Sequence, residues 1–239
     1  MKKNFTILLI LTSVYLCNSQ TEALFFEQAN EFLKYNVTNE GKVDYAKIKK
    51  SPGELFYILN NISNLKPEPN PSREASIAYW VNVYNLLTIK NVVDNYPIKS
   101  VNFVDGFFDK NFLVNGSDVS LNDIENNLNI ITQDAGIHFV LSKAANGDPV
   151  LYNGAYLPES ALYQMSLQVK SAINKPNFLK INKENDFIEF PYLFEKYKKD
   201  FVTMYFNEID FVNIFLEKKL NTKMKIGHYK FDWSLNNIN

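Results

Sequence analysis

Cysteine is almost absent from this chain. Of 239 residues only Cys17 is a cysteine, and it falls inside an N-terminal stretch that reads as an export signal. The mature chain therefore has no thiol and can form no disulfide, so its stability must come from a packed core. Histidine is nearly as scarce, with two residues far apart in sequence. With no cysteine, no His-x-x-x-His and no EF-hand spacing, no metal site is expected. Glycine-rich phosphate loops are missing too, and no cofactor is implied. No basic patch stands out, which argues against nucleic acid as a partner. After the first segment there is no long apolar run, so no transmembrane segment is expected once the signal is cleaved. Internal repeats and low-complexity segments are also lacking.

The start of the chain is distinctive. Lys2 and Lys3 give a short positive region, and Phe5 to Leu16 follow as an apolar run. That run is too short for a membrane span, which takes about 20 residues. The pattern is that of a secretory signal peptide over residues 1–19, cleaved after Ser19 to leave Gln20 first. A lipoprotein signal using Cys17 is the disfavoured alternative, because Leu16 stands where that signal needs a small residue. The protein is thus expected to be exported, periplasmic or extracellular. Its partner is open, an envelope protein or an extracellular ligand.

What remains, residues 20–239, suits one globular domain. Hydrophobic residues make up 46% of the chain and aromatics 15%, ample for a sizeable core. Without Lys2 and Lys3 the balance is 23 basic to 26 acidic residues, a net charge of -3.

Helical spacing of Leu24, Phe25, Ala29, Phe32 and Leu33 predicts a first helix over Thr21 to Tyr35. Glu54 to Leu65 reads as a second, closed by a proline-rich linker, Pro67 to Pro71. Ser72 to Tyr96 carries the strongest helical signal, with Ser72 as its cap and Pro97 as its stop. Phe112 to Val119 reads as a hairpin turning on Asn115-Gly116. Ser120 and Asp123 form a capping-box pattern at the next helix start. Ile137 to Leu141 looks like a short buried strand. Ser160 to Ile173, Pro191 to Phe206 and Ile209 to Leu220 read as helices. Phe178 to Ile181 and Phe187 to Phe190 read as a second hairpin, and Lys225 to Phe231 as a last strand. Helices dominate and βα alternation is absent, so the class is α+β, helix-rich, with short antiparallel hairpins.

Six segments, in register, resemble the domain-of-unknown-function family 547. They are Tyr79 to Leu86, Tyr96 to Val101, Ser120 to Glu125, Asp134 to Phe139, Gly41 to Tyr45 and Tyr229 to Asn236. The resemblance spans nearly the whole mature chain, with core motifs over 72–160 and a C-terminal part over 161–239. It is to an exported bacterial member, and it implies a papain- or transglutaminase-like fold. Many members carry a cysteine-rich stretch soon after the His-Phe pair, ending in Cys-Pro. A thiolate beside an imidazole would be an activated nucleophile. This chain departs there: Lys143 and Asp148 stand at the cysteine positions and Gly136 at an arginine position.

The candidate catalytic residues are His138, Glu125 and Asn82. Imidazole suits acid–base work, and Glu125 could polarise it, although a carboxylate near a helix start is also favoured by the helix dipole alone. Trp80, Tyr84 and Asn85 are the binding candidates; against that, Trp80 and Tyr84 suit a core and the asparagines suit a buried polar network. Ser142, four residues beyond His138, would share its face along a strand. The primary expectation is a non-catalytic or degenerate family member acting in binding or assembly. The rival is a hydrolase or acyl transferase using His138 with Glu125 or Asn82. A carbohydrate-binding role would need exposed Trp or Tyr faces, whereas most aromatics here fall on core-facing positions.

Overall fold

The computed structural model describes residues 22–65 and 70–238. The expected signal peptide, residues 1–19, and Pro67 and Pro69 of the linker lie outside the described residues.

The fold is built around one helix. After α1 (22–36), α2 (Tyr45–Lys50) and α3 (Gly53–Ser63), helix α4 (Arg73–Asn95) runs through the centre of the larger core. Ser72 caps it, its side-chain oxygen accepting from the Ala75 amide. Aliphatic residues such as Ile77, Val81, Leu86, Ile89 and Val93 are buried on it, each worth roughly 1.5–3 kcal/mol. The hairpin β1 (Phe112–Val114) and β2 (Ser117–Val119) turns on Asn115 and Gly116, both with positive φ, as the tight turn requires. Helix α5 (Leu121–Thr132) starts with the expected reciprocal capping box of Ser120 and Asp123. It packs on α4, as do α2, α3 and α6 (Ala161–Ile173).

A second core, rich in phenylalanine, follows. Strands β3 (Lys180–Asn182) and β4 (Phe187–Pro191) form the expected antiparallel pair, with Lys180 opposite Glu189. Strand β5 (Lys225–Tyr229) then joins β4 in parallel, Phe187 opposite Lys225. A parallel partner needs a crossover, and α7 (Tyr192–Lys196), α8 (Lys198–Tyr205) and α9 (Glu208–Phe215) supply it. The single helix expected over Pro191 to Phe206 is therefore two, broken at Tyr197, and the next ends at Phe215 rather than Leu220. Phe194 and Phe201 stack at 4.4 Å between centroids, and Phe211 meets Phe201 edge-on at 5.0 Å.

The strand expected at Ile137 to Leu141 is not formed. Ala135–Phe139 is instead a short 3-10 helix, capped by the Asp134 carboxylate on the Gly136 amide. The reason lies in what it must bury. Ala135 and Phe139 enter the second core, while Ile137, Val140 and Leu141 enter the first. Strict alternation would place 137, 139 and 141 on one face and could not serve both.

Two asparagines on α4 pin the chain that follows. Asn82 donates to the Tyr156 carbonyl at 2.8 Å and accepts from the Tyr156 amide at 3.0 Å. Asn85 donates to the Val140 carbonyl and accepts from the Ser142 amide, both at 2.9 Å. Asn91, a third on the same helix, donates to the Phe107 carbonyl at 2.8 Å.

The C-terminal tail straps the larger core. Its backbone accepts from Asn146 and Gly147, and Asn236 is buried against Tyr45 and Gly41. At Gly147 a Cβ would lie 2.7 Å from the Asp232 amide nitrogen, so only glycine lets the tail approach. Because each asparagine clamp satisfies two buried backbone groups, Asn82→Ala and Asn85→Ala should each lower stability by roughly 1–3 kcal/mol. Urea unfolding measures this, and a change below about 0.5 kcal/mol would mean that the clamps contribute little.

Candidate functional site

Where the two cores meet, polar side chains from four parts of the chain converge. Helix α5 brings Glu125, α4 brings Tyr84, the 3-10 helix brings His138, and the loop after it brings Lys143 and Asp148. The break between α7 and α8 brings Tyr197, and the first turn of α8 brings Asp200.

Lys143 is the centre. Its ammonium donates to Glu125 Oε2 and, at 2.7 Å, to the Tyr84 hydroxyl. Burial works against the charge, but Glu125 outweighs it and raises the lysine pKa. Glu125 mirrors this: burial pushes its carboxyl up, and the charge and hydrogen bond of Lys143, helped by Tyr197, bring it below the usual range. The Tyr197 hydroxyl donates to the other carboxylate oxygen, Oε1. Both carboxylate oxygens are thus occupied.

Tyr197 also lies flat on His138, with 3.6 Å between ring centroids and 8° between planes. His138 Nε2 lies 2.8 Å from Asp200 Oδ2. Burial is the largest influence on the imidazole and lowers its pKa to about 4, against the pull of Asp200 and Glu125. The neutral ring donates Nε2–H to Asp200 and leaves Nδ1 as a buried acceptor without a hydrogen-bond partner.

Asp148 closes the loop. Its Oδ2 accepts from the backbone amides of Lys143 at 2.6 Å and Ala145 at 3.2 Å. Burial pushes its carboxyl up to about 7, with Lys143 opposing. Lys196 points toward the same place, and its pKa is lowered first by burial and then by Lys143. Between His138, Lys143, Asp148 and Lys196 on one side and Phe231 and Trp233 on the other lies a slot of about 20 Å³. That is room for a single water-sized body.

Of the candidates read from sequence, Glu125, His138 and Tyr84 come together here. Asn82 and Asn85 do not, being committed to backbone clamps. Trp80 is half-buried and packs edge-on against Tyr79 at 5.2 Å. Ser142 does not pair with His138, because the segment is not a strand: its hydroxyl accepts from the Ala144 amide at 3.0 Å. Sequence reasoning missed Tyr197, Asp200 and Lys196. Their sole signal was one aromatic-basic stretch, Phe194 to Lys199, in which periodicity does not show the helical break. Among the described residues, no group of three or more His, Cys, Asp or Glu could hold a metal ion, and no helix is long and apolar enough to cross a membrane.

Residues 69–171 match the model of a family described as protein of unknown function, DUF547. The chain carries a DUF547 segment. It holds α4, the hairpin, α5, the 3-10 helix, the 143–148 loop and most of α6. No curated protein and no solved structure matches the chain. The DUF547 segment supplies Tyr84, Glu125, His138, Lys143 and Asp148, while Tyr197, Asp200 and Lys196 come from the part that follows it. At the two positions where the family resemblance places cysteines, the segment puts a buried cation and the carboxylate that closes its loop.

The raised Asp148 value sets a pH dependence. An ordinary aspartate ionises near 4, so the folded chain holds this proton more tightly than the unfolded chain. Stability from this group is then largest below about 4 and falls as pH rises toward 7. Asp148→Asn removes the titration. The melting temperature of the wild type relative to this variant should fall between pH 5 and pH 8. A constant or rising difference would contradict the assignment.

Proposed function

We propose that this chain is an exported protein that binds or assembles outside the cytoplasm and performs no catalysis. One observation carries the reading. The ammonium of Lys143, which stands where the resemblance would place a cysteine, is held by Glu125 and Tyr84 with its proton bound more firmly than usual. A lysine nucleophile needs the opposite, a depressed pKa and a free lone pair.

The neighbouring groups support the same reading. Glu125 has both oxygens taken, Asn82 clamps Tyr156, and Ser142 is tied into its own loop. The rival reading, a hydrolase or acyl transferase using His138 with Glu125 or Asn82, keeps one feature in its favour, the unpartnered Nδ1 of His138. Nδ1 would have to act on substrate through a slot that holds one water.

The purified chain, offered ester, thioester, amide and glycoside substrates, should show no turnover above buffer. Turnover that disappears in His138→Ala, with the melting transition retained, would refute the proposal. Export has its own test: the mature protein recovered from the producing cell should begin at Gln20 and lie outside the cytoplasm.

A further inference from the structure

The sheet of the second core ends on β5. Its strand order is β3, β4, β5, so β4 occupies one side of β5 and, among the described residues, no strand occupies the other. The Lys225 amide donates to the Asp186 carbonyl at 2.9 Å, and this bond sets the phase of the parallel ladder. Lys225, Gly227 and Tyr229 turn their backbone groups toward β4. Ile226 and His228 turn theirs outward, and Lys230 follows in the same phase. Among the described residues nothing bonds these outward amides and carbonyls. Farther along the same extended segment the edge is filled: the Asp232 and Ser234 carbonyls accept from the Gly147 and Asn146 amides, both at 2.8 Å. The open stretch is thus confined to 226–230.

The side chains of the same two residues anchor the strand. Ile226 packs against the second core. The His228 ring lies 6.4 Å from that of Phe190, and its Nε2 is 3.7 Å from the buried Glu208 carboxylate. The edge is therefore held in place before any partner arrives, which lowers the cost of binding. A row of free amides and carbonyls is complementary to another extended peptide backbone. Charge selects the peptide. Lys223, Lys225 and Lys230 are exposed along the strand and enter no ion pair among the described residues. The exposed carboxylates near its far end are Glu195 and Asp232, and Asp232 already accepts from the Ser234 hydroxyl at 2.6 Å. A second copy would bring its own lysines against these, and lysines on an edge keep like chains apart. A peptide carrying carboxylates satisfies both the backbone and the lysines.

We propose that β5 binds an acidic peptide segment in extended conformation, added to the three-stranded sheet as a further strand through the backbone of Ile226 and His228. The proposal rests on reading the chain as a binding protein and names the class of its partner.

Titration calorimetry of the purified chain with capped peptides of valine alternating with glutamate, or with lysine, tests it. The glutamate peptide should bind at least about tenfold more tightly than the lysine peptide, and its affinity should fall between about 0.05 and about 0.5 M salt. Methylating every backbone amide of the glutamate peptide should abolish binding. Bound peptide should slow hydrogen exchange at the Ile226 and His228 amides, read by NMR. The double variant Lys225→Glu, Lys230→Glu should reverse the charge preference, and Lys34→Glu, at an exposed position on α1, should leave it unchanged. Thermal melts establish that each variant is folded. No binding of the glutamate peptide, undiminished binding of its methylated form, or protection away from 226–230 would overturn the assignment. So would a dimer in sedimentation with those amides protected, which would make the occupant a second copy. Cleavage of the peptide would instead refute the non-catalytic reading while leaving the edge assignment in place.

Discussion

The contact between Lys143 and Glu125 is the constraint on which the rest of this structure depends. Taking an ammonium and a carboxylate out of water costs several kcal/mol each, and only close pairing with further hydrogen bonds offsets it. Two tyrosines supply such bonds, and an aspartate holds the loop in place. Tyr84 on α4 accepts from the lysine, Tyr197 between α7 and α8 donates to the glutamate, and Asp148 closes the loop that carries the lysine. Through these contacts the pair joins both hydrophobic cores. The break at Tyr197 follows from the same demand, since that ring must cover His138 and reach Glu125 together.

Much of the scaffold was legible in the sequence because its signals are local. Ser72 and Pro97 bound α4, Asn115-Gly116 turn the first hairpin, and Ser120 with Asp123 start α5. These act within a few residues and need no knowledge of the rest. What escaped was decided by contacts distant in sequence. Ile137 to Leu141 looks like a strand by composition but divides its side chains between two cores, so it winds into a 3-10 turn. The parallel pairing of β5 is invisible in the five residues Lys225–Tyr229, because it depends on the crossover before it. The site divides in the same way. Glu125, His138 and Tyr84 were found from motifs, whereas Tyr197 and Asp200 reach His138 from some 60 residues away and bear no local mark.

The division also follows the family boundary. The DUF547 segment, residues 69–171, carries the buried pair and the loop around it. The covering groups and the aromatic tail come from later in the chain. A thiol pair would hold that loop by a covalent bond worth about 2–4 kcal/mol. Here Asp148 holds it by accepting two backbone amides. The tail fixes the loop at Gly147 and sets Phe231 and Trp233 along the slot beside Lys143 and Asp148.

The central claim, that Lys143 and Glu125 form a structural pair rather than catalytic machinery, is tested most directly by a double-mutant cycle in urea. Lys143→Met and Glu125→Gln should each destabilise the fold by about 3–5 kcal/mol, because each leaves its partner buried and uncompensated. The double variant should lose markedly less than the two combined, with a coupling of at least about 2 kcal/mol. Additive losses, or single variants as stable as the wild type, would contradict the account.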